Sequence, residues 1–128
     1  MKLIGALVGF LIRWVRSGKR VTSNGYVVIT SVSGEEKLEH RVVAERVLGR
    51  TLEREEAVHH INGRPGENTP DNLCVMPHLD HGRFHDWLEG FVKTNGGYPK
   101  RETQLRKLKE DFNGIVLSDI RTKWFWRG

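Results

Sequence analysis

Apolar positions along this 128-residue chain follow two different periods. "NGYVVITSV" (24–32) is β-branched and aromatic after an Asn-Gly turn, which predicts a strand. From His40 the spacing changes. Val42, Val43, Val47 and Leu48 fall near one helical face, and Gly49 supplies the stop. "EAVHHI" and "LCVMP" are two short strands separated by "NGRPGENTPDN", a stretch dense in turn residues. From His78 to about Lys93 the helical period returns, with Phe84, Trp87, Leu88, Phe91 and Val92 at i, i+3, i+4, i+7 and i+8. "TNGGYP" breaks the chain, "KRETQLRKLKEDF" predicts a basic amphipathic helix, and "IRTKWFWRG" is aromatic and basic. The order of elements predicts an α+β fold.

The N-terminal "MKLIGALVGFLIRWVR" is apolar without interruption from Leu3 to Ile12. That run is short of the roughly 20 residues that span a bilayer. No small-residue cleavage site follows it, as a signal peptide would require. The expectation is a helix within 1–23 that packs on the domain or on a protein partner, with membrane attachment disfavoured.

Composition adds class and partner. An apolar content of 38% and a charged content of 29% fit one folded domain. The single cysteine, Cys74, forms no internal disulfide and lies in an apolar run, so it reads as a buried thiol in a reducing compartment, expected to be the cytoplasm. The net charge of +5 is unevenly spread: +5 over 1–23, −5 over 24–91 and +5 over 92–128. Basic arms around an acid-balanced centre favour a polyanionic partner. The expected division is an N-terminal helix (1–23), a central core (24–92) and a basic C-terminal extension (93–128).

The chemistry concentrates between Ala57 and His85, which hold five of the six histidines. His59 and His60 are adjacent on a strand, so their side chains point to opposite sides and have separate tasks. His81 and His85 are i, i+4 on a helix and share a face bordering the apolar stripe. One strand histidine plus two helical ones make a three-ligand set with an open position, the arrangement of catalytic metal sites. A zinc protease would need Glu directly after the first histidine of His-x-x-x-His; here Gly82 stands there. His40 and His78 are assigned to packing or surface, and Asn62 and Asn68 to turns.

His59-His60, Asn72 in "PDNL", His81 and His85 together resemble the HNH endonucleases, the ββα-metal nucleases. With "GYVVIT…HRVVAERVLG" upstream and "NGRPGENTPDNL" between, the likeness is to the homing-type and phage-type branch and covers about 24–90. The chain lacks the four-cysteine zinc knuckles of many members. It carries His59 where many have Asp and the colicin-type nucleases have His.

The resemblance implies a ββα-metal centre with flanking helices that hydrolyses DNA. It makes His60 the general base and gives Asn72 the task of holding the loop that carries His60. His59, His81 and His85 would hold a divalent ion (Mg, Mn, Zn or Ni), with no small-molecule cofactor. Arg83, Lys100, Arg101, Arg106, Lys107 and Lys109 are expected to contact DNA phosphates. Two rival functions are a non-catalytic, metal-stabilised DNA-binding module and an interaction subunit of a phage or mobile-element assembly docked through the apolar N-terminus.

Overall fold

The computed structural model describes residues 16–120. Strands β1 (Arg16–Val21), β2 (Val27–Ser31) and β3 (Glu36–Leu38) form an antiparallel sheet in that order. Helix α1 (Glu39–Leu48) follows, then β4 (Glu56–His60), β5 (Leu73–Pro77) and helix α2 (His78–Asn95). Helix α3 (Arg101–Asp111) leads into β6 (Ile115–Val116), which completes a second antiparallel sheet of order β4-β5-β6. The architecture is α+β, as expected from the order of elements.

The helix expected over 1–23 gives way to strand at residues 16–21; residues 1–15 lie outside the described residues. The reason is pairing. β1 runs against β2 from Gly18↔Thr30 to Val21↔Val27. Thr22 N–H donates to Tyr26 O (2.8 Å) and Gly25 N–H to Thr22 O (2.9 Å), closing the hairpin. A boundary at 23/24 thus passes through a hairpin. The aromatic end from Arg121 also lies outside the described residues.

β5 is the middle strand of the second sheet, and its alternation divides the core. Cys74 and Met76 face one side with Ile61, Phe84, Leu88, Leu108, Phe112 and Val116. Leu73 and Val75 face the other with Ala44, Val47, Leu52, Val58 and Leu117. So α2 and α3 cover one face and α1 the other, which is why "LCVM" is apolar throughout rather than alternating. Cys74 is buried, as expected.

The segment expected to be a basic arm is built into this core. Leu108 and Phe112 pack against Phe84, and Val116 pairs with Cys74 across the sheet. At Gly114 the chain passes so close that an added Cβ would sit 2.7 Å from Cys74 Sγ and 2.9 Å from the Leu108 carbonyl oxygen. Gly49 ends α1 with φ 72°, its N–H donating to Glu45 O, as its position in the sequence predicts. None of the helices in the described residues is long and apolar enough to cross a membrane.

Candidate functional site

β4 is the edge strand of its sheet and carries both adjacent histidines. His59 pairs with Cys74 and His60 with Leu73. Cross-strand partners share a face, so His59 turns to the α2 side and His60 to the α1 side. The separation expected from the two-residue period is what the fold shows.

On the α2 side, His59 packs edge-on to Phe84 at 5.0 Å between ring centroids. The i, i+4 spacing brings His81 and His85 beside it. His59 Nδ1 is 3.4 Å from His81 Nε2, which is 3.0 Å from His85 Nε2. One nitrogen from each ring lies within 4.8 Å of the other two. Burial, with mutual repulsion second, pushes His59 down to about 3 and His81 down to about 4. Both rings are therefore neutral near pH 7, with lone pairs available. Three imidazole nitrogens converging on one point suit a borderline-soft divalent cation. The donor set thus fits a metal ion. His59 Nε2 is buried with no partner among the described residues.

On the α1 side, His60 is buried against His40, whose ring meets it edge-on at 4.9 Å, with Tyr26 at 6.3 Å. Its Nε2 lies 2.6 Å from Asn68 Oδ1, and Asn68 Nδ2 donates to Glu39 Oε1 at 2.9 Å. Burial lowers the His60 pKa, and the Asn68 bond acts weakly in the opposite sense. Burial also lowers His40, to about 4. Asn68, assigned to a turn by its neighbours in sequence, instead reaches across the loop to the His60 ring. Nothing local in "GENTP" signals that contact.

Asn72 closes the loop between β4 and β5. Its Nδ2 donates to Glu67 O (2.8 Å) and Asn62 Oδ1 (2.9 Å), and its Oδ1 accepts from Asn62 N–H (3.0 Å). Its backbone carbonyl accepts from Ile61 N–H at 2.9 Å. Asn62 in turn accepts from Arg64 N–H, so the turn role read for Asn62 fits its bonds.

Both groups of histidines open onto one groove of about 800 Å³, bordered by the β1–β2 turn, Arg54 and His78. A second hollow of about 440 Å³ shares His59, His60 and His85 and continues to Lys93 and Tyr98. Residues 37–83 match the HNH endonuclease family model. No curated protein and no solved structure gave a match. The family resemblance drawn from the spacing of His59-His60, Asn72 and His81 is borne out, and the HNH segment starts at β3 and ends two residues before His85.

The basic residues expected at DNA sit elsewhere. Arg83 pairs with Asp80 and lies over the Phe112 ring. Lys107 pairs with Asp111 over Trp87, and Lys109 pairs with Asp119. Lys100, Arg101 and Arg106 are exposed on or beside α3. None of the six lines either hollow beside the histidines. The cations that do are Arg41, Arg54 and Lys93, which the sequence did not single out. Arg41 is engaged with the Glu56 and Glu53 carbonyls. Arg54 has no side-chain partner among the described residues.

Proposed function

We propose that the chain hydrolyses phosphodiester bonds in DNA, with a divalent ion held by His59, His81 and His85 and with His60 as the general base. One observation carries this reading: a convergent triad of imidazoles stands beside a fourth histidine that shares the groove but has different partners. A bound cation supplies charge stabilisation at the phosphate and at the departing 3′ oxygen. The all-imidazole set suits zinc, nickel or manganese better than the harder magnesium or calcium. His60, with its pKa below the ordinary imidazole value, is neutral near pH 7 and takes a proton from the attacking water. Asn72 holds the loop from Asn62 to Glu67 so that His60 keeps its aim. Arg54 and Lys93 are placed to meet phosphates along the groove, and the α3 cations to meet those farther along the duplex.

The test is cleavage of supercoiled plasmid by the full chain with Mg, Mn, Zn or Ni supplied singly. The wild type cuts with at least one of them. His60→Ala lowers the rate by about 10²–10⁴, while calorimetry shows its metal affinity kept. His59→Ala and His81→Ala weaken metal binding, and His85→Ala does so less. Metal binding without cleavage would favour the non-catalytic DNA-binding module. Collapse of metal affinity in His60→Ala would overturn the division of roles.

A further inference from the structure

The contacts of His60 carry one more step, which rests on the general-base reading above. A neutral imidazole has one N–H and one lone pair, and a base toward water must present the lone pair. Which nitrogen carries the proton is set by the partner of the other one.

That partner is Asn68, whose amide presents either an acceptor or a donor according to which way it is turned. Glu39 decides the orientation. An ionised carboxylate only accepts, so the amide group 2.9 Å from Glu39 Oε1 must be Nδ2. Turned the other way, Asn68 would set its oxygen against a carboxylate oxygen. With Nδ2 directed to Glu39, Oδ1 faces His60 Nε2 at 2.6 Å and can only accept. The proton therefore sits on Nε2, leaving the lone pair on Nδ1. Nδ1 has no protein partner among the described residues and is not among the buried unpaired atoms, and His60 lines the groove. Lys19 Nζ lies 3.9 Å from the other oxygen of Glu39, which ties the chain of contacts to β1.

We propose that Glu39, acting through Asn68, is a positioning residue that locks His60 in the Nε2–H tautomer and so aims the Nδ1 lone pair at the attacking water. Neither residue lines either hollow. Glu39 stands in the first turn of α1, twenty-one positions before His60, and Asn68 lies in the opposite loop. The base is thus prepared by two segments that meet only in the folded protein.

The test uses the full chain with 15N-labelled histidine, free of metal, at pH 8. His60→Ala identifies the His60 signals. The wild type shows a pyrrole-type Nε2 and a pyridine-type Nδ1. Glu39→Lys replaces the acceptor by a donor, so Asn68 turns and donates to His60 Nε2. The proton moves to Nδ1, and kcat for plasmid cleavage falls on the order of 10²–10⁴-fold, as for loss of the base, without a rise in KM. Glu39→Lys combined with Asn68→Asp restores both the tautomer and most of kcat. In that double variant the new carboxylate accepts from the introduced ammonium and from His60 Nε2–H, whichever way it turns. A residue that merely stabilised the fold would not be rescued by this exchange.

A wild-type ring protonated on Nδ1 would overturn the proposal. So would a Glu39→Lys ring that keeps the wild-type tautomer, or a double variant that stays inactive with the tautomer restored. The spectra decide the tautomer independently of cleavage. A chain that showed the stated tautomers but cut no DNA would count against the nuclease reading and leave the assignment of the proton standing.

Discussion

Asn72 is the place where loop architecture and catalysis can be separated by measurement. Its side chain makes three hydrogen bonds of 2.8–3.0 Å, two to Asn62 and one to the Glu67 carbonyl, and it is 6% exposed. Asn72→Ala removes all three. Each such bond contributes a net 0.5–1.5 kcal/mol or so, and water reaches the exposed partners, so the expected loss is roughly 2–4 kcal/mol. A domain of this size is stable by about 5–15 kcal/mol, so the variant remains folded. The loop that holds Asn68 against His60 then loosens. A displacement of about 1 Å at a reacting group can cost on the order of 10²-fold, so cleavage should fall by that order. Metal affinity should hold, because His59, His81 and His85 lie on β4 and α2 rather than in the loop. Asn72→Asp keeps the shape but sets a carboxylate against the Glu67 carbonyl and Asn62 Oδ1, so it should destabilise at least as much as Ala. Urea unfolding, calorimetric metal titration and plasmid cleavage on the same preparations check each part. A stability loss below about 0.5 kcal/mol, or a collapse of metal affinity, would refute the loop-clamp argument.

Three further outcomes are expected. Gly114→Ala forces a Cβ against the Leu108 carbonyl and Cys74 Sγ, which should cost about 1–3 kcal/mol in urea unfolding; an unchanged midpoint would show that this turn gives way freely. In chelator, stability should fall as pH drops from about 6.5 towards 4, because His40, His59 and His81 bind protons more readily in the unfolded chain than in the folded one. A thermal midpoint that rises on acidification would contradict this, and added zinc should stabilise more at pH 7 than at pH 5, where protons compete. Replacing Lys100, Arg101, Arg106, Lys107 and Lys109 together by Gln should weaken DNA binding and flatten its salt dependence by up to about 0.9 in log–log slope per lost phosphate contact, with metal affinity unchanged; an unaltered slope would show that α3 does not meet DNA and leave the groove cations Arg54 and Lys93 to do so.

Local pattern alone determined a good part of this protein. The stop of α1 at Gly49, the strands around His59 and Leu73, and the helix beginning at His78 all follow from short-range spacing and turn residues. So does the shared face of His81 and His85, because 3.6 residues per turn places i and i+4 together wherever the helix lies. The opposite directions of His59 and His60 follow from the pleat of a strand in the same way. These features depend on neighbours a few positions apart. Tertiary structure decided what depends on distant partners. Residues 16–21 are a strand because β2 supplies their hydrogen bonds. The basic C-terminal segment enters the core because Leu108, Phe112 and Val116 find Phe84 and Cys74 across the fold. Arg54 reaches the groove only because the chain between α1 and β4 passes its edge. Asn68 looks like any polar turn residue until the loop folds back onto His60 and Glu39. An amide's orientation, and with it the position of a proton on an imidazole, is set by atoms brought together from three segments. Spacing along the chain carries no record of that meeting.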